Sequence, residues 1–203
     1  MMKLSEQKKL SILQAAENLF FEQGMENTSM DLVAQEAKVS KRTLYNHFET
    51  KDALFHAILL RLQNQLRTGH VITYDPAFPV ETQLHAIAQQ EAAFLTSVPL
   101  LKVARVAFMH MLQQPALAQK LTANKMGCAA FLDEFLRDAV NAESLIIHDI
   151  PFAAKQFIYQ LKSFIFYPNL YQFDIPDDKE IAMIVEQTVA MFTARYGTTP
   201  KTG

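Results

Sequence analysis

The chain of 203 residues holds 5 Gly, 8 Pro, a single Cys and no Trp. An average soluble chain carries roughly 7% Gly and 5% Pro, so residues that favour turns are scarce here. A sandwich or barrel needs frequent tight reversals, and so few turn formers cannot supply them. The glycines stand at positions 24, 69, 127, 197 and 203. That wide spacing excludes the Gly-rich phosphate loops and the G-x-S-x-G nucleophile elbow. Nucleotide-fold enzymes are excluded with them. Cys128 alone allows neither an internal disulfide nor a Cys-based zinc site, which fits a reducing cytosol. The six His show no metal-ligand spacing such as H-E-x-x-H, and no nucleophile–base pairing signals catalysis. Lys102, Arg105 and Lys162 interrupt the richest apolar segments before any reaches the length of a membrane span. The opening Met-Met-Lys-Leu-Ser-Glu-Gln-Lys-Lys is too polar for a secretory signal. The expectation is an all-α, soluble, cytoplasmic protein without a cofactor, a metal or an enzymatic activity.

The few turn formers that are present divide the chain. No proline occurs before Pro76, and a helix is expected over 5–23, closed by Gly24 as a C-cap. Short helices follow over 29–36, capped by Thr28 or Ser29, and over Lys41–His47. A longer helix runs from Lys51 to about Arg67, with Leu54, Ile58, Leu62 and Leu66 on one stripe. Asp75-Pro-Ala-Phe-Pro79 breaks the pattern. Beyond it, helices are expected near 80–97, 100–113, 116–142, 152–167 and 178–196. Pro151 suits a first helical turn, and Asp177-x-x-Glu180 is a capping-box pattern. The expected division is a compact helical domain over 1–50 and a second helical domain over 51–203.

Two helices as short as 29–36 and 41–47, joined by a tight turn, cannot stand alone. They need a third helix beneath them, which is the helix-turn-helix arrangement. Ser40 caps the second helix, and Leu44 and Phe48 pin one of its faces to a core. Lys41, Arg42, Thr43, Tyr45, Asn46 and His47 remain for solvent, and each carries a hydrogen-bond donor. Between Lys38 and Lys51 four cations stand against Glu49, a balance of +3 in a chain whose net charge is −2. Arg and Asn suit guanine and adenine edges in a major groove, and Thr suits the thymine methyl. Tyr45, Lys51 and the N–H groups opening the 29–36 helix suit phosphate. On spacing alone, a solvated basic helix in a bundle explains the same residues equally well.

The stretch from Thr28 through Leu54, with the preceding Ala15-x-x-Leu-Phe-x-x-x-Gly24, resembles the DNA-binding domain of the TetR family of transcriptional regulators. The carrying residues are Thr28-Ser29, Leu32-Val33-Ala34, Ala37, Val39-Ser40, Thr43-Leu44-Tyr45, His47-Phe48, Lys51 and Leu54. Leu101 to Leu121 resembles the AefR-like branch of that family. The resemblance implies a three-helix DNA-binding head, over 1–50, joined by a fourth helix to a ligand-binding and dimerisation body, over 51–203, which dimerises through its last two helices. It implies DNA contact from Thr28 or Ser29, Lys41, Arg42, Thr43, Tyr45, His47 and Lys51. Asn46 joins them on the chemistry of its side chain. Lys38 departs from the family, which usually has Gly in this turn.

In the remaining chain, Phe94, Phe108, Met109, Met111, Phe131 and Phe135 are candidates for lining a hydrophobic or aromatic effector site. For any single one of them, plain core is the commoner role. His110 and Cys128 are read as satisfied buried groups rather than ligand contacts. Phe157, Leu161 and Phe164, with Ile181, Ile184, Val185 and Thr188 on the final helix, are expected to form a homodimer interface. A palindromic operator needs two copies. The expected function is a ligand-responsive regulator, a repressor released from double-stranded DNA by its effector. The alternative is a helical hydrophobic-ligand carrier without specific DNA binding.

Overall fold

The computed structural model describes residues 4–66, 70–113 and 125–198, without the side chains of residues 63, 65, 66, 106 and 109–113. The regular elements of these residues are all helices, apart from one isolated bridge between Leu145 and Gly197. Two compact units divide it: residues 1–65 with 106–123, and residues 66–105 with 124–203.

The first unit opens with α1 (Leu4–Gln23), α2 (Met30–Glu36), α3 (Lys41–His47) and α4 (Lys51–Leu66). Gly24 ends α1 at φ +85, and its N–H reaches Phe20 O at 3.2 Å, the left-handed stop expected of it. The stripe Ile12, Leu13, Ala16 and Phe20 is buried, and α1 packs on both α2 and α3. Phe55 of α4 meets Phe20 edge-on, ring centroids 6.0 Å apart. The helix expected in the domain over 51–203 thus lies, up to Gln65, in the first unit, where Phe55 meets α1.

The second unit contains α5 (Val80–Leu95), the first half of α6 (Val98–Gln113), a 3₁₀ turn (Gly127–Ala130) and α7 (Leu132–Asn141). They are followed by α8 (Ile150–Leu161), α9 (Tyr167–Tyr171) and α10 (Asp178–Tyr196). Asp149 caps α8 by accepting from Phe152 N, with Pro151 in the first turn. The capping box at Asp177 and Glu180 forms in both directions, with Asp177 N donating to Glu180 Oε2 at 2.9 Å. The single helix expected near 152–167 instead widens to i→i+5 bonding over Lys162–Phe166 and continues as α9. Pro168 has no N–H to continue an α-helical ladder, and the wider turn lets the chain pass it.

The helix expected over 116–142 also differs where it is described. Gly127 adopts φ +60, and α7 begins only at Leu132. A Cβ at Gly127 would fall on the carboxylate of Glu91. Glu91 is only 2% exposed and accepts from Cys128 N at 2.6 Å. The rest of its stripe on α5, Leu84, Ile87, Ala88 and Leu95, is apolar and buried. Burial pushes the Glu91 carboxyl above its ordinary value, and the Cys128 N–H and thiol and the Lys162 charge pull it partly back. Burial, then the Glu91 charge, push the Cys128 thiol far up, so Cys128 is a buried hydrogen-bonded group and not a nucleophile.

A carboxyl raised in the folded state stabilises fully below its unfolded value and loses that contribution as pH rises through the folded value. The melting temperature of the wild type minus that of Glu91→Gln should therefore decline as pH rises from about 4.5 toward neutrality. A constant difference across that range would show that Glu91 stays ionised in the folded protein.

Candidate nucleic-acid interface

The interface is built from the turn between two short helices. Ser29 caps α2 by accepting from Leu32 N at 3.1 Å. At the other end Lys38 N donates to Gln35 O and Val39 N to Ala34 O, at 3.1 and 3.0 Å. This paired closure is a Schellman motif, and it places Lys38 where glycine is favoured. Lys38 adopts φ +54, so a side chain occupies the left-handed position at a cost of roughly 1–2 kcal/mol. Ser40 then caps α3, accepting from Thr43 N at 3.2 Å. Leu44 is fully buried and Phe48 nearly so, which sets the rotation of α3 and turns its other side outward.

On that outward side Lys41, Arg42, Tyr45 and Asn46 are exposed, Tyr45 to 48%. Thr43 and His47 are half-buried, and the Thr43 hydroxyl lies 2.8 Å from that of Ser40. Of the two alternatives at the start of α2, Ser29 is exposed, whereas Thr28 is 1% exposed and faces inward. The Thr28 hydroxyl donates to Gly24 O at 2.9 Å and accepts from Gln23 Nε2 at 3.1 Å. It closes the α1–α2 corner and presents nothing to a partner. Lys51 is likewise engaged, its Nζ donating to Met25 O at 2.8 Å and Thr28 O at 3.2 Å. It joins the start of α4 to the same corner. Among the described residues Lys38 and Arg42 form no ion pair, while Lys41 pairs with Asp31 of α2 at 2.6 Å. The first turn of α3 has two cations and no acid, the wrong sign for the helix dipole. Helix stability does not account for that placement: Asp31 holds one of the two cations, and Arg42 stands without an acid among the described residues.

In the second unit, Phe131 and Phe135 are buried one turn apart, and Phe135 meets Tyr74 edge-on at 5.6 Å. Phe94 of α5 is half-buried. Phe108 is half-buried and belongs to the first unit. The side chains of Met109 and Met111 lie outside the described residues. The expected dimer residues divide into two groups. Phe157, Leu161, Val185 and Thr188 are buried in the chain's own core, where Phe157 packs edge-on against Phe192 at 5.3 Å. They are not available to a second copy. Phe164 is 56% exposed, and Ile181 and Ile184 are half-buried. The large apolar side chains that α8 and α10 leave outside are Phe152, Tyr159, Met183 and Met191, of which only Met191 stands on the apolar stripe legible in the sequence.

Two parts of the chain match known families. Residues 12–58 match the bacterial regulatory proteins of the tetR family, and residues 82–198 match the AefR-like transcriptional repressor, C-terminal domain. The chain belongs to the TetR family of transcriptional regulators. It is thus a DNA-binding regulator and not an enzyme. A TetR family regulator from Pseudomonas syringae pv. tomato is 33% identical over 97% of this chain and all of that one, with a TM-score of 0.76. The HTH-type regulator YhgD of Bacillus subtilis is 34% identical over 82 residues, 40% of this chain and 43% of that protein. The chain thus matches less than half the length of that curated relative. The flavonoid-responsive regulator FrrA shares the TetR fold, with a TM-score of 0.80 at 24% identity over 97% of this chain and 99% of that one.

The strained turn makes a prediction for this TetR-family head. Lys38→Gly should raise unfolding stability by about 1 kcal/mol by relieving the left-handed side chain. Urea denaturation of the full chain measures it, and no gain would mean that Lys38 is not strained.

Proposed function

We propose that the protein is a repressor that binds a palindromic operator as a homodimer and leaves it when a small hydrophobic or aromatic effector binds the helical body. The observation carrying this reading is the outward face of α3, where Arg42, Tyr45 and Asn46 are exposed beside the unpaired cation of Lys38. Arg42 and Asn46 have the donor geometry for guanine and adenine edges, and Thr43 has a methyl for thymine. Tyr45, His47, Ser29 and Lys38 serve the phosphates. Thr28 and Lys51 position the start of α2 through the corner they close. Two copies of α3 in successive major grooves require the half-site spacing to match the spacing of the two heads. An effector that favours another spacing opposes DNA, and DNA opposes the effector equally.

The second copy docks on the exposed apolar face of α8 and α10. Phe152 and Tyr159 lie seven residues apart on α8, two helical turns along one side. Met183 and Met191 supply an adaptable partner surface on α10, with Phe164, Ile181 and Ile184 at its margin. The effector site draws on the aromatic residues Phe94, Phe131 and Phe135 of the second unit. With no Trp in the chain, calorimetry or thermal shift follows binding better than fluorescence quenching.

Arg42→Ala and Tyr45→Ala should each weaken binding to the duplex flanking the protein's own gene by about tenfold or more, with melting temperature unchanged. If the wild type bound a scrambled duplex equally tightly at moderate salt, specific regulation would be wrong. Tyr159→Glu combined with Met191→Glu should convert the dimer to a folded monomer in sedimentation, because each buries a charge in the interface. A dimer that persists would place the interface elsewhere.

A further inference from the structure

The sequence gives the start of α3 to DNA, yet the structure shows Lys41 already occupied. Its Nζ lies 2.6 Å from Asp31 Oδ2, and both side chains are exposed, at 67% and 57%. Asp31 belongs to the first turn of α2, two residues after the Ser29 cap. A carboxylate suits that helix end, since it faces the positive end of the dipole. It also occupies the cation that a phosphate approaching the same surface would use. Lys38, Arg42 and Lys51 have no such partner among the described residues. The one cation of this cluster held by an acid is therefore the residue that opens α3.

We propose that Asp31 sets the DNA affinity of the head by competing with phosphate for Lys41. It is a positioning residue: in the free protein it draws Lys41 back against α2, and binding exchanges the carboxylate for a phosphate oxygen. The inference rests on the DNA-binding reading of α3. An exposed ion pair is weak, so the exchange is readily made. Its consequence is persistent, because the displaced carboxylate stays beside the bound backbone and retains a counterion there. Each phosphate neutralised by a cation releases counterions to solution, and this release gives binding its salt dependence. An acid that must be left behind subtracts from that release. Asp31 thus lowers the electrostatic part of the affinity, which every duplex shares, while Arg42 and Asn46 retain the base edges.

The experiment compares wild type, Asp31→Asn, Asp31→Glu, Lys41→Ala and the Asp31→Asn/Lys41→Ala pair. Each is titrated against the duplex flanking its own gene and against a scrambled duplex, over a series of salt concentrations. Asp31→Asn should tighten binding to both duplexes by up to about fivefold at low salt. It should also steepen the dependence of log affinity on log salt by about one. Asp31→Glu should keep the wild-type slope. In the Lys41→Ala background the gain from Asp31→Asn should vanish. Both side chains are exposed, and a melting curve for each variant confirms that the fold is retained.

An equal gain in both backgrounds would overturn the inference, since Asp31 would then act on phosphate directly and not through Lys41. An unchanged or shallower salt slope for Asp31→Asn would overturn it as well. If binding falls with Arg42→Ala but ignores Asp31→Asn, only this inference fails. If it ignores Arg42→Ala too, the DNA-binding reading of α3 fails with it.

Discussion

The outward face of α3 depends on the burial of Leu44 and Phe48. The helix that carries them, α3, has seven residues and would not persist alone in water. Docked on α1 and α2 through those two side chains, it gains a fixed rotation. That rotation decides which side chains face out. Moving the apolar pair by one position would turn Arg42 and Tyr45 about 100° around the helix, away from any groove. Everything else in the head serves to hold this docking: the Ser29 and Ser40 caps, the left-handed turn at Lys38, and the corner closed by Thr28 and Lys51.

Two kinds of local compromise accompany it. Lys38 accepts backbone strain in a position that glycine would occupy freely, and in exchange adds a cation to the exposed side. Lys41 and Arg42 stand at the end of α3 where the helix dipole disfavours them. Both choices weaken the free head and favour an anionic partner. Asp31 pulls the other way, stabilising α2 while holding one of the cations. The head is thus a balance between folding electrostatics and binding electrostatics, settled within two short helices.

The second unit repeats the theme with a buried charge. Glu91 lies on the apolar stripe of α5 and ties the turn at Gly127 and Cys128 to it. Its position was legible as belonging to that stripe, since Leu84 and Ile87 precede it by seven and four residues and Leu95 follows by four. A lone Glu on an amphipathic helix nevertheless reads as a solvent-facing residue, because its partner lies 37 residues on. The same distance effect hid Asp31, whose partner Lys41 belongs to the next helix.

From the sequence alone came the all-helical class, the helix-turn-helix, the caps at Ser40 and Asp177, Pro151 in a first helical turn, and the outward residues Arg42, Tyr45 and Asn46. These follow from short-range rules, in which side-chain spacing and backbone preference act within one or two turns. Tertiary structure decided the rest. It buried Thr28 and engaged Lys51, moved Phe157, Leu161, Val185 and Thr188 into the chain's own core, and left Phe152, Tyr159, Met183 and Met191 outside. A helix apolar on two sides does not record in its sequence which side meets its own chain. Only packing against neighbours distant in sequence settles that, because the hydrophobic effect has magnitude but no direction.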